Sequence, residues 1–307
     1  MSIDRLQSLI RTRRNPTVAG LDPRVEYIPP HILKKHIEEK GETLEAAADA
    51  FFEFNRGLID VLWDVVPAVK PQLACYELLG PPGMETFKKT VDYARAAGLY
   101  VIADGKRNDI GSTAEAYSQA FLGSVRVGGT ELTPFGCDAL TVNAYLGSDG
   151  VKPFIRTCQE RDKAIFVLVK TSNPSSGELQ DMIAGDRVVY KVVGDLAERL
   201  GKDTVGEYGY TCVGAVVGAT YPSDLRELRR RLDKTFFLVP GYGAQGGSAE
   251  DVRHAFNRFG HGAVINSSRA ILCAWQKTGK NGKDYTDAAR EAAVTMKNDI
   301  KSVMTIV

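Results

Sequence analysis

The feature that most constrains this chain is an alternation. Eight strand-like segments (Thr17–Leu21, Val65–Lys70, Tyr100–Ala103, Ala139–Val142, Ala164–Val169, Cys212–Val217, Phe236–Val239 and Ala263–Ile265) are separated by helix-like stretches along almost the whole length. In Glu42–Trp63, Leu44, Ala48, Phe51, Leu58 and Leu62 recur near helical spacing. In Met84–Ala97, Phe87, Val91 and Ala94 share a stripe that Gly98 stops. Further helices fit Val151–Gln159, Arg187–Leu200, Ser223–Arg231, Ala249–Phe259 and Thr286–Val303, and Ser112-x-x-Glu115 reads as a capping box that starts another. Ala164–Val169 is almost wholly apolar, as a strand covered on both faces of a parallel sheet should be. Eight alternations with no long linker predict a closed (β/α)8 TIM barrel, one domain over residues 1–307, with a doubly wound open sheet as the alternative. The length suits it, since one such barrel commonly takes ~250 residues or more. The polar run Gly279–Asp284 reads as an exposed loop before the final helix.

Composition narrows the class of partner. The formal net charge is +1, which argues against nucleic acid or a membrane surface held by bulk charge. No apolar run approaches the ~18 residues that span a bilayer, and Met1–Arg5 lacks the apolar core of a signal peptide. Five scattered cysteines (Cys75, Cys137, Cys158, Cys212, Cys273) form no Cys-x-x-Cys pair, so neither a disulfide frame nor a zinc knuckle is expected. These features together favour a reducing cytoplasm.

In an α/β barrel the chemistry sits at the carboxyl ends of the strands. The third strand runs into Asp104-Gly105-Lys106-Arg107-Asn108-Asp109, and alternation places Asp104 and Lys106 on one face. Opposite charges packed this closely are costly to desolvate, and a fold seldom needs them for stability. The second strand ends in Lys70-Pro71-Gln72 and the first in Asp22-Pro23-Arg24, so two lysines and several aspartates can converge on one mouth. The seventh strand enters a glycine-rich loop, Pro240–Ser248, which opens a helix. The eighth enters Asn266-Ser267-Ser268-Arg269. Glycines let backbone N–H groups approach a phosphate, and an arginine can grip the same phosphate through two parallel bonds. Loops after strands seven and eight are the usual barrel phosphate site. Asp138 reads as structural and Asn143 as a candidate for the mouth. Lys170–Gly177 reads equally as a lid or as an ordinary surface loop. His31, His36, His254 and His261 fall outside the strand ends, and no His/Asp/Glu cluster has metal-ligand spacing.

With these residues in place, the chain resembles orotidine 5′-phosphate decarboxylase. The family signature Asp-x-Lys-x-x-Asp-Ile-x-x-Thr stands here as Asp104-Gly-Lys106-Arg-Asn-Asp109-Ile110-Gly-Ser-Thr113, with Asp22, Lys70, Ser172, Gly241–Gly247 and Arg269 in the matching order. Lys70-Pro71-Gln72 and Asn143-x-Tyr145-Leu146-Gly147 are similar to the longer bacterial (type 2) subgroup. The resemblance implies decarboxylation of orotidine 5′-phosphate to uridine 5′-phosphate, the last step of pyrimidine synthesis, with no metal and no organic cofactor. It implies an alternating charge array of Lys70, Asp104, Lys106 and Asp109, with Lys106 protonating C6 and Asp104 beside the departing carboxylate. It also implies that Asp22 and Lys70 hold the ribose hydroxyls and Ser172 the pyrimidine amide. Gln245 would bridge ring and phosphate, while Gly246, Gly247 and Arg269 bind the phosphate. Asp109, Ile110 and Thr113 would reach the active site of a second subunit, which implies a homodimer. Ser267-Ser268 departs from the glycine that shorter relatives often carry there.

Two other readings compete. A sugar-phosphate enzyme such as hexulose-phosphate synthase shares Asp-x-Lys-x-x-Asp but binds magnesium through an acidic residue at the end of strand two, where this chain has Lys70. A catalytically silent nucleotide sensor would gain little from crowding charges at its pocket.

Overall fold

The computed structural model describes residues 1–243 and 246–306. Eight parallel strands close into a barrel in sequence order: β1 (Thr17–Leu21), β2 (Ala68–Pro71), β3 (Tyr100–Arg107), β4 (Ala139–Val142), β5 (Ala164–Lys170), β6 (Val213–Val217), β7 (Phe237–Val239) and β8 (Ala263–Ser267). This is the (β/α)8 architecture that the alternation predicts, and the open sheet is excluded by the pairing of β8 with β1.

The strands are buried on both faces. Outward residues such as Val101, Leu140 and Val167 pack under the helices. Inward residues, among them Val18, Ala68, Ile102, Ala139, Phe166, Phe236 and Val264, fill the barrel. A helix over Ser2–Arg13, not anticipated from the sequence, closes the bottom: Ile3, Leu6 and Ile10 are at most 1% exposed and join the interior cluster. Their i, i+3, i+7 spacing is the signal that was there to be read. Asp138, at the amino end of β4, is structural as expected. It accepts the Val101 N–H at 2.9 Å and pairs with Arg5 (2.9 Å) and Lys163 (3.6 Å).

Several local expectations shift. The long helix runs Leu44–Leu62, capped by the Thr43 hydroxyl, and Leu44 is exposed, so the buried stripe starts two residues later at Ala46. The capping box at Ser112 does not form: the helix Gly111–Phe121 begins one residue earlier, with Ile110 at the cap, and Ser112 lies in its first turn. A real capping box forms instead between Ser248 and Asp251. The helix expected over Ala249–Phe259 stops at Val252 and tightens into a 3-10 turn, Arg253–Ala255. The residues at Arg187–Val188 pair with Ile183–Ala184 as a small hairpin, which delays the next helix to Val189–Gly201. A second hairpin joins Val125–Val127 to Thr130–Leu132. Among the described residues, no helix is long and apolar enough to cross a membrane.

Candidate active site

Strand alternation carries the barrel filling upward by one layer, and at the mouth that layer changes character. Two residues beyond inward Ala68, Ile102 and Ala139 come Lys70, Asp104 and Thr141. Two beyond Phe166, Gly214 and Phe236 come Leu168, Val216 and Leu238. Asn266 stands two beyond Val264. All seven line one cleft of about 780 Å³, so its floor is charged on one side and apolar on the other. Asp22, Gln72, Cys75, Lys106, Ser172, Ser268 and Arg269 line it from the strand ends and loops.

Asp104 is the hub. Its Oδ2 accepts from Lys70 Nζ at 2.7 Å and Gln72 Nε2 at 3.0 Å. Its Oδ1 accepts from Lys106 Nζ at 2.7 Å and the Thr141 hydroxyl at 2.9 Å. Lys70 also faces Asp22 at 3.8 Å. Burial alone would push the Asp104 carboxyl up, but the ammonium groups of Lys70 and Lys106 outweigh it and hold the group far below the usual carboxylate range. Burial alone would likewise lower Lys70, and the charges of Asp104 and Asp22 raise it instead. Both are fully charged at neutral pH. Lys70 is nearly enclosed, with 4% of its side chain exposed, whereas Lys106 is 46% exposed and faces the open cleft. Burial pushes the Cys75 thiol up to about 11, so it offers no thiolate nucleophile near neutral pH.

Plain alternation is not what brings Asp104 and Lys106 together. Ala103 pairs with Leu140 and Arg107 with Val142, so three residues of β3 bulge over the single residue Thr141 of β4. Lys106 takes a left-handed backbone conformation, φ 48°, which turns its side chain back over Asp104.

The other candidates separate into groups. Ser172 and Arg269 line the cleft, and Arg269 opens a short helix, Arg269–Leu272. Gly246 and Gly247 do not line it. Their N–H groups donate to Gly243 (2.9 Å) and Gly241 (3.1 Å) within the loop's own turn. Gln245 lies outside the described residues. Asp109, Ile110 and Thr113 also fall outside the cleft. Asp109 accepts the Ile110 N–H at 2.8 Å, Ile110 is 57% exposed, and Thr113 is exposed. Asn143 bonds to the Tyr145 N–H in a local turn and takes no place in the cleft. The residue of β4 that does is Thr141, which sequence reading missed although counting by twos from Ala139 finds it. Lys170 ends β5 rather than beginning a loop. It is fully buried, pairs with Asp181 and lies over the rings of Tyr190 (5.2 Å) and Tyr221 (4.6 Å), tying the segment after β5 to the barrel. Gln180 fastens the same segment by bonding both ways with Thr171. Among the described residues no group of His, Cys, Asp or Glu is placed to hold a metal ion.

The chain is similar to known proteins in sequence and fold. The family model described as orotidine 5′-phosphate decarboxylase / HUMPS matches residues 46–281. A protein of Rhodopirellula baltica named orotidine 5′-phosphate decarboxylase is 45% identical over 300 residues, covering 96% of this chain and 97% of its own. One of the same name from Caldicellulosiruptor bescii is 41% identical, covering 89% and 90%. The solved structure of Leishmania donovani OMP decarboxylase superposes with a TM-score of 0.74 at 30% identity, over 99% of each chain. The chain therefore belongs to the orotidine 5′-phosphate decarboxylase / HUMPS family.

Proposed function

We propose that this protein decarboxylates orotidine 5′-phosphate to uridine 5′-phosphate in de novo pyrimidine synthesis, without metal or organic cofactor. The observation that carries the reading is the Lys70–Asp104–Lys106 array, three alternating charges with N···O distances of 2.7 Å on the floor of the cleft. Its cationic strand-two position, Lys70, opposes the magnesium chemistry of the sugar-phosphate branch.

In the proposed complex the phosphate meets Arg269, and Ser172 contacts the pyrimidine amide. Gly246 and Gly247, on the loop after β7, lie outside the cleft and would reach the phosphate side, together with Gln245, only as that loop folds over the bound nucleotide. Asp22 and Lys70 receive the ribose hydroxyls. The Asp22 Oδ1 atom is buried without a hydrogen-bond partner, which suits an acceptor awaiting a ligand hydroxyl. The C6–carboxylate bond then breaks, and its electron pair stays on C6. The partly exposed Lys106 ammonium stabilises that charge and delivers a proton to C6, after which solvent reprotonates the amine. Because Lys70, Gln72 and Thr141 already hold Asp104, the field at C6 needs no reorganisation as charge develops. Carbon dioxide is apolar and is released beside the apolar side of the cleft, Leu168, Val216 and Leu238, before it leaves through the mouth.

We also propose a homodimer with shared sites, in which Asp109, Ile110 and Thr113 of each chain complete the neighbouring cleft. Support comes from the exposed apolar side chains of Ile110, Tyr145 (77%) and Leu146 (47%). They belong to adjoining loops, since Gly150 packs close to Asn108, Asp109 and Leu146. The single barrel supports reading residues 1–307 as one domain, and five free cysteines suit a cytoplasmic setting.

The test is loss of orotidine 5′-phosphate absorbance with purified protein and excess chelator. Stoichiometric uridine 5′-phosphate and carbon dioxide are expected at an undiminished rate. No turnover rejects the reading, and chelator-sensitive turnover redirects it to the sugar-phosphate branch.

A further inference from the structure

We propose that Thr141 is a positioning residue for the decarboxylation: its one hydroxyl fastens the β3 bulge and aims both Asp104 and Lys106. This inference rests on the decarboxylase reading above and deepens it.

The argument starts from the ladder. Between the pairs Ala103–Leu140 and Arg107–Val142, β3 has Asp104, Gly105 and Lys106 while β4 has only Thr141. Regular parallel pairing cannot satisfy three residues against one, so backbone groups of the bulge need another partner. The Lys106 N–H finds it in the Thr141 hydroxyl oxygen, at 2.9 Å. That contact holds a non-glycine residue in the left-handed region, where isolated residues are disfavoured by ~1–2 kcal/mol. A hydroxyl that accepts there has one proton left to give, and it goes to Asp104 Oδ1 at 2.9 Å.

The same Asp104 oxygen receives the Lys106 ammonium at 2.7 Å. Thr141, Lys106 and Asp104 therefore close a ring: hydroxyl to backbone amide, along the lysine side chain to its ammonium, to the carboxylate, and back to the hydroxyl. Each member fixes the others. Thr141 is 1% exposed and β-branched, so packing pins its rotamer and lets it act as a rigid peg. Gln72 donates its side-chain amide only to the other oxygen of Asp104, and its backbone bridges Asp104 from the β2 side without reaching the Lys106 N–H, so it does not duplicate this role.

Replacement by valine keeps the shape and branching and removes only the hydroxyl. It leaves the Lys106 N–H without its partner and Asp104 Oδ1 with a single donor. The experiment compares wild type, Thr141→Val and Thr141→Ser in kcat, KM and affinity for uridine 5′-phosphate, with the far-ultraviolet spectrum and melting temperature as a check of folding. Thr141→Val is expected to lower kcat by about 10- to 100-fold, the size of a lost hydrogen bond to a charged group, with KM and product affinity changed by less than about threefold. Thr141→Ser is expected to recover most of kcat. Thr141→Ala provides the same reading should the valine variant fail to fold. A kcat within about threefold of wild type in a folded valine or alanine variant overturns the proposal, as does an equal loss in kcat and product affinity, which marks a merely structural role. Inactive wild type overturns the decarboxylase reading itself.

Discussion

Lys70→Met tests how the charge array is held together. The substitution keeps an unbranched chain of similar length in a site where only 4% of the side chain is exposed, and deletes one ammonium. Asp104 keeps three donors, Gln72, Thr141 and Lys106, but loses the one charge that is buried with it, and Asp22 loses the cation 3.8 Å away. Removing one partner of a buried pair costs about 3–5 kcal/mol, because the remaining charge stays desolvated. An unfolding entropy of about 2 cal/mol/K per residue over 307 residues makes each degree of melting temperature about 0.6 kcal/mol, so the expected drop is about 5–8 °C. The double variant Lys70→Met/Asp104→Leu removes both desolvated charges and lets the half-exposed Lys106 turn to water. It is expected to regain at least half of the lost stability while remaining inactive. Urea denaturation at pH 7 with linear extrapolation measures both. A single variant within about 1 kcal/mol of wild type, or a double variant less stable than the single, refutes the reasoning that burial dominates this pair.

Lys106→Ala is expected to lower kcat by about 10²- to 10⁴-fold while retaining the fold, since Lys70, the other lysine among the described residues that line the cleft, is enclosed and held by Asp104; wild-type turnover refutes its role as donor. Mixing inactive Asp109→Ala and Lys106→Ala proteins is expected to restore about a quarter of wild-type activity, because half the dimers are hybrids with one intact site of two, and no recovery despite demonstrated subunit exchange counts against shared sites. Arg269→Ala is expected to reduce kcat/KM by about 10- to 150-fold through the lost charged contact to phosphate. Because the Asp104 carboxyl is held below its unfolded value of about 3.9, its contribution to stability is complete above that pH and is lost as the pH falls toward the lowered folded value. Denaturation midpoints measured downward from pH 5 should therefore fall less steeply in Asp104→Asn than in wild type.

The barrel was legible because nearly every inward and outward position below the strand ends is buried, which leaves apolar runs such as Ala164–Val169 that local composition alone reveals. The array at Lys70, Asp104 and Lys106 was legible for the opposite reason, since charges at strand ends stand out against those runs. Thr141 was hidden because a threonine inside a strand looks like filling, and only the register of β3 against β4 shows that it faces a bulge. The helix Ser2–Arg13 is hard to see in the sequence because Asp4, Arg5 and Gln7 interrupt its apolar residues, although its narrow apolar stripe is enough to seat on the barrel floor. Ser112 misled because a capping box needs the serine outside the first turn, and backbone placement at Ile110 and Gly111 decides that, not the motif.

That seated helix has a consequence for traffic. With Ile3, Leu6 and Ile10 stopping the lower opening, the barrel is a cup rather than a tube. Under the proposed reaction, nucleotide, carbon dioxide and the proton that recharges Lys106 would all cross the same rim, so anything covering that rim would hold back all three together.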